Sequence, residues 1–93
     1  METFRAIVNG RVQGVNFRHD SMVRARELGL KGYARNMRSG DDVEVVAQGR
    51  RDQLEQFLDF LRTGPSAAHV TTVDVQWGMG SDEGPFDSFT VRR

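Results

Sequence analysis

The stretch LKGYARNMRSGDDVEVVAQG, residues 30–49, decides the fold. Leu30 to Met37 and Asp42 to Gly49 have strand composition, and RSGD between them, residues 38–41, is a glycine-containing turn. The two halves therefore read as antiparallel strands joined in a hairpin. In the second of them Val43, Val45 and Ala47 share one face.

Working outward, each side of this hairpin carries a helix. On the C-terminal side, RDQLEQFLDFLRTGP (residues 51–65) places Leu54, Phe57, Leu58 and Leu61 at i, i+3, i+4 and i+7. That spacing makes one apolar stripe, which Gly64 and Pro65 bring to an end. On the N-terminal side, about Arg18 to Leu28 carries Met22, Ala25 and Leu28 three apart before Gly29, a residue suited to a left-handed helix end. Beyond the helices lie further strands. In TFRAIVNG (3–10), Phe4, Ala6 and Val8 alternate with Arg5, Ile7 and Asn9, while HVTTVDVQW (69–77) and FDSFTVRR (86–93) are rich in Val, Phe and Trp. GMGSDEGP (78–85) can only be a loop. The order strand, helix, strand, strand, helix, strand predicts an α+β fold, the ferredoxin-like βαββαβ sandwich. An antiparallel sheet with two helices on one face and a short extra C-terminal strand is expected.

The 93 residues fit one domain, residues 1–93. Apolar content of 38% and charged content of 28% allow a buried core beneath a charged surface. Thirteen Lys and Arg balance thirteen Asp and Glu, so no global field draws the chain to nucleic acid or to an anionic membrane. Any anion site must be built locally. The absence of cysteine removes disulfides, thiolate metal sites and a cysteine nucleophile together. METFRAIVNG lacks the apolar run of a secretory signal, and no segment approaches ~18 consecutive apolar residues. A cytoplasmic location is expected.

One such local site is available in VNGRVQGVNFRHD, residues 8–20. In the expected fold the loop after the first strand meets the start of the first helix at one end of the sheet. Gly10 and Gly14 let the backbone curl, and N–H groups at a helix start lack helical partners. Such donors, with the positive end of the helix dipole behind them, can hold a phosphate or carboxylate, and Arg18 adds a planar two-pronged cation. Neither G-x-x-x-x-G-K-[ST] nor G-x-G-x-x-G is present. Taken alone, the stretch favours a plainer reading, in which the glycines shape a tight crossover and Arg18 is a solvated first-turn residue.

Two motifs together carry the site further. GRVQGVNFR resembles the phosphate loop of the acylphosphatases, and GYARN followed by Val43 and Gly49 is similar to that family's second signature. GPSAAHV and the terminal SFTVRR also have the family's look, and its ferredoxin-like fold matches the element order. The resemblance implies hydrolysis of the carboxyl–phosphate bond of acyl phosphates to a carboxylate and inorganic phosphate, with no metal, no cofactor and no covalent intermediate. It implies that backbone donors around Gln13, Gly14, Val15, Asn16 and Phe17 cradle the phosphate, that Arg18 clamps it, and that Asn36 holds the attacking water. A mixed anhydride already has a good leaving group, so positioning and charge stabilisation suffice. Asn36 can accept from and donate to a water without repelling the phosphate. Without the resemblance it reads as a turn residue at a strand end. The chain departs from the family in one place. Asp41 and Asp42 both stand between Gly40 and Val43, where the family usually has one residue, and the normal Val43 to Gly49 spacing assigns the extra residue to the loop tip.

Other residues have plainer readings. His19 and His69 lack the spacing of a metal pair and read as solvated or capping residues. Asp20 and Asp52 favour the first turns of their helices, Asp41 and Asp42 read as a solvated loop, Trp77 packs a strand, and Arg24 and Arg26 lie on a wet helix face. KGYARNM also opens like the first contact motif of the RNA-recognition module, which shares the element order, but Arg35 and Met37 stand where aromatics belong. A domain that binds a phosphate metabolite without turnover is a third reading, against which Arg18 and Asn36 together argue for chemistry. The expected partner is a small acyl phosphate, with phosphate as product and competitive inhibitor, no nucleic acid, no membrane, and a monomeric state.

Overall fold

Seven elements follow one another as the sequence predicts: β1 (Glu2–Arg11), α1 (Phe17–Glu27), β2 (Lys31–Asn36), β3 (Asp42–Gly49), α2 (Arg51–Thr63), β4 (His69–Trp77) and β5 (Phe89–Arg92). They are seen in a computed structural model that describes residues 1–12, 16–38, 40, 42–64, 69–78 and 86–92. The strands form one sheet in the order β4-β1-β3-β2-β5. β1 pairs antiparallel with β3 and β4, and β2 pairs antiparallel with β3. β5 differs from the expected antiparallel arrangement by lying parallel to β2. The cause is geometric: β4 ends at Trp77 opposite Phe4, and β5 begins at Phe89 opposite Gly32, so one strand ends and the next begins at the same end of the sheet. A strand starting there must run alongside β1 and β2.

Alternation sorts the sheet into two faces. Phe4, Ala6 and Val8 of β1 pair with Ala47, Val45 and Val43 of β3, and these six residues are fully buried. Gly32, Ala34 and Asn36 of β2 face the same way, as do Phe89 and Val91 of β5. The helices cover this face. α2 contributes Leu54, Phe57, Leu58 and Leu61, the four stripe residues, all buried. The Phe57 ring meets Phe4 at 6.3 Å and Phe89 edge-on at 5.6 Å, so one side chain joins β1, α2 and β5. Each such buried side chain stabilises by about 1.5–3 kcal/mol.

α1 begins one residue earlier than predicted and buries Phe17, Ser21 and Ala25, with Met22 and Leu28 partly covered. Its end is sharp. Gly29 has φ 73° and donates to the Arg26 carbonyl, while the Leu30 N–H donates to the Ala25 carbonyl at 2.9 Å. That pair of bonds is a Schellman end, possible because glycine carries no Cβ in the left-handed region.

Candidate functional site

β1 ends at Arg11, and Val12 turns into the core. Gln13, Gly14 and Val15, expected to supply backbone donors, lie outside the described residues. Asn16 is the N-cap of α1, and its φ of 61° and ψ of 20° place it in the left-handed region. Asparagine reaches that region more readily than other side-chain-bearing residues because its short amide can bond locally. The sharp turn sends Phe17 into the core at 1% exposure and leaves Arg18 half-buried. Among the described residues no side-chain bond from the N-cap Asn16 closes the helix start. The first-turn N–H groups therefore carry the positive end of the helix without partners from the helix itself.

Arg18 is held from outside its own helix. Its Nη1 donates to the backbone carbonyl of Arg92 at 2.7 Å, which fastens the start of α1 to the end of β5. Val12, Asn16, Phe17, Arg18, His19 and Val91 line a recess of about 200 Å³ there, several times the roughly 30 Å³ that a water occupies in the liquid. Phe17 thus borders the recess through a side chain that belongs to the core. Among the described residues, Arg92 takes one of the five guanidinium donors of Arg18.

Asn36 is the last residue of β2, paired with Val43 on the helix-covered face. It is half-buried, and its Oδ1 is buried without a hydrogen-bond partner among the described residues. An amide oxygen so placed costs roughly 1–3 kcal/mol and remains an acceptor open to an outside donor. Because β1, β2 and β5 run in one direction, the end of β1, Asn36 and Arg92 all lie at the same end of the sheet. Arg18 and Asn36 share that end but line separate recesses, Asn36 standing with Arg35, Met37 and Arg38 around one of about 280 Å³.

The described strands of the hairpin stay in register up to its loop. Pairing runs without a shift from Lys31 opposite Gln48 to Asn36 opposite Val43, and the Met37 N–H donates to the Asp42 carbonyl at 2.9 Å. The loop tip expected to hold the extra residue includes Ser39 and Asp41, which lie outside the described residues. Asp42 is not in a solvated loop: it opens β3, and its carboxylate accepts from Asn9 Nδ2. Arg24 and Arg26 are exposed, in line with the wet-face reading, and Arg26 also donates from its Nε to the Phe89 carbonyl at 2.9 Å. Asp20 and Asp52 do stand in the first turns of α1 and α2, and His19 and His69 are exposed.

The face of the sheet opposite the helices holds a group that the sequence reading overlooked. Glu44, 3% exposed, accepts from Arg5 Nε at 2.6 Å, from Arg35 Nε, and from Tyr33 Oη at 3.1 Å. Burial pushes its carboxyl upward, but the bonds from Arg35, Arg5 and Tyr33 outweigh that and hold it below the ordinary carboxylate range. The same bond, with the carboxylate's charge, raises Arg35. A faint signal was present: a lone acid in VEVVA, alternating onto the face that Arg5 and Arg35 occupy. The Arg92 carbonyl had none, since backbone contacts leave no mark in residue type.

A larger recess, of about 770 Å³, opens at the far end of the sheet near Glu2, Gly49 and Arg51. Both its arginines are already engaged, Arg51 bonding Glu2 and Glu55 and lying 3.6 Å over the Trp77 ring, and Arg50 pairing with Asp52 at 3.4 Å. At the α1 end, by contrast, the helix start and Arg18 border one recess, and Asn36 borders a separate one at the same end of the sheet. Among the described residues no group of three His, Cys, Asp or Glu side chains could hold a metal.

Known proteins share this fold. The acylphosphatase family model matches residues 4–91. An acylphosphatase of Dehalococcoides mccartyi is 46% identical over 92 residues, covering 99% of each chain. One of Thermus thermophilus is 53% identical over 73 residues, covering 78% of this chain and 82% of its own. The crystal structure of the Bacillus subtilis acylphosphatase superposes with a TM-score of 0.90 at 30% identity, covering 100% of both chains. A match of this extent, on the element order and strand pairing described above, shows that the chain belongs to the acylphosphatase family.

Proposed function

We propose that this enzyme hydrolyses acyl phosphates with Arg18 as the phosphate clamp and Asn36 as the holder of the attacking water, while backbone N–H groups of Gln13, Gly14, Val15, Asn16 and Phe17 cradle the phosphate. Acyl phosphate and water give a carboxylate and inorganic phosphate: the water oxygen bonds to phosphorus, and the P–O bond to the carboxylate breaks. The acyl carboxylate is a weak base, so it leaves without a general acid. What remains is to hold three phosphoryl oxygens and one water in line, for which fixed dipoles and a guanidinium are sufficient. The observation that carries this reading is the tether of Arg18 to the Arg92 carbonyl beside an uncapped helix start. It supports this reading by holding a cation beside the positive end of a helix. The buried, unpaired Oδ1 of Asn36 supports the second role, as an acceptor for a hydrogen of the water.

Residues 1–93 acting as one domain, a cytoplasmic monomer, independence from metal, and breadth toward short acyl groups belong to the same proposal. The test is phosphate release from a simple acyl phosphate in the presence of excess chelator, with inorganic phosphate added as inhibitor. Turnover should be undiminished by the chelator, and phosphate should compete with substrate. Activity that collapses on chelation, or noncompetitive inhibition, would overturn the assignment of the site.

A further inference from the structure

On the face the helices leave open, one carboxylate ties β1 and β3 to β2, the strand that carries Asn36. Glu44 of β3 is reached by Arg5 from β1 and by Tyr33 and Arg35 from β2. The Tyr33 ring in turn supports the Arg92 guanidinium of β5, 4.1 Å from its centroid, with Phe86 edge-on at 5.9 Å. Arg92 is the residue whose carbonyl holds Arg18. Arg35 immediately precedes Asn36, and it pairs with Glu44 on one side and Arg92 on the other. Two short paths therefore leave Glu44: one through Tyr33 and Arg92 to Arg18, and one through Arg35 to Asn36.

We infer that Glu44 is a positioning residue for the reaction, fixing the Arg92 carbonyl that orients Arg18 and the end of β2 that presents Asn36. Stability alone is a poor reason for a carboxylate at this place, because well-packed apolar residues usually serve as well as a buried ion pair. An ionised acceptor with three directional donors does something apolar packing does not. It fixes the angular setting of the strands it joins, since charge-assisted bonds lose strength when their geometry drifts. A site of this kind needs support of that precision, because a clamp displaced by a fraction of an ångström no longer meets the transition state.

The inference rests on the reading of Arg18 as the clamp, and a double-mutant cycle separates the two. The competitive inhibition constant of inorganic phosphate is measured for wild type, Glu44→Gln, Arg18→Ala and the double variant, at a temperature where circular dichroism shows all four folded. Glu44→Gln should raise the constant about fivefold, the size of effect found for residues that act through a coupled network. In the Arg18→Ala background it should raise it by less than about twofold, because the group it acts through is gone. A role in stability alone, with all four proteins folded, would leave the constant unchanged on replacing Glu44 in either background. Equal factors, or an unchanged constant in Glu44→Gln, overturn the inference and leave the clamp standing; an unchanged constant in Arg18→Ala overturns both. Should Glu44→Gln not fold, Tyr33→Phe takes its place in the cycle. It keeps the ring beneath Arg92 and removes only the hydroxyl on Glu44, so about a twofold rise is expected, and no rise is fatal to the inference.

Discussion

In the proposed reaction Arg18 and Asn36 are asked for different things, and their surroundings differ accordingly. Arg18 is a charge with one donor spent on the Arg92 carbonyl, a setting suited to gripping an anion in both ground and transition state. Asn36 is neutral, half-buried, and holds an unpaired acceptor, a setting suited to orienting water. Arg18→Ala should lower kcat/KM by at least ~10²-fold and weaken phosphate binding with it. Lys at position 18 should rescue in part, since an ammonium cannot reproduce a two-pronged contact. Asn36→Ala should instead lower kcat while phosphate still binds with near wild-type affinity. Asn36→Asp is sharper, because it keeps the shape and sets a carboxylate beside an anionic substrate. It should bind phosphate worse than Asn36→Ala. Calorimetric titration of the folded variants decides: loss of phosphate binding in Asn36→Ala as complete as in Arg18→Ala would end the division of roles.

The elements that were legible in advance are those whose periodicity the core enforces. α2 is the plainest case, four stripe residues predicted and four buried. α1 is harder to read because its buried row includes Ser21, a polar residue that no hydrophobic pattern can recover. β4 shows a different difficulty. Val73, Val75 and Trp77 share a face, but Val70 is out of phase with them in sequence. The pairing slips between Asn9 and Gly10, where Thr72 faces Asn9 but Val70 faces Gly10, and this bulge returns Val70 to the core side. Nothing in residue type announces it except Gly10 itself, whose φ is 140° and where an added Cβ would stand 2.1 Å from the His69 carbonyl oxygen. That contact is with backbone, so no side-chain rotation relieves it. Gly10→Ala should therefore cost at least ~2 kcal/mol, a fall in Tm of about 10 °C for a domain of this size. Gly29→Ala makes the useful control. Open space surrounds its site, so only the left-handed backbone penalty of roughly 1 kcal/mol applies. Thermal unfolding of the two variants in parallel tests the bulge, and a Gly10→Ala protein no less stable than Gly29→Ala would remove it as a constraint.

The sheet as a whole is stabilised differently on its two faces, and pH can tell them apart. The helix-covered face is apolar and indifferent to protonation. The open face is organised around Glu44, with Arg5 on β1, Tyr33 and Arg35 on β2, and Arg92 on β5 arranged about it. Because the folded protein holds this carboxyl below its ordinary value, the unfolded chain binds a proton there more readily. Stability from Glu44 is then fully present above the unfolded carboxylate value, about 4.3, and is lost as pH falls toward the lower folded value. Glu44→Gln cannot titrate at that position. It should be less stable than wild type at neutral pH, toward the lower end of the ~3–5 kcal/mol found when one partner of a buried pair is removed, because the Arg5 and Arg35 side chains it leaves behind are 34% and 48% exposed and reach water. As pH falls below about 4.3, wild type should lose this advantage and the two unfolding free energies should converge. Urea unfolding of both proteins between neutral and acid pH measures it. A difference that stays constant across that range would mean that the ionised form of Glu44 contributes nothing to holding the sheet, and that shape alone accounts for its place there.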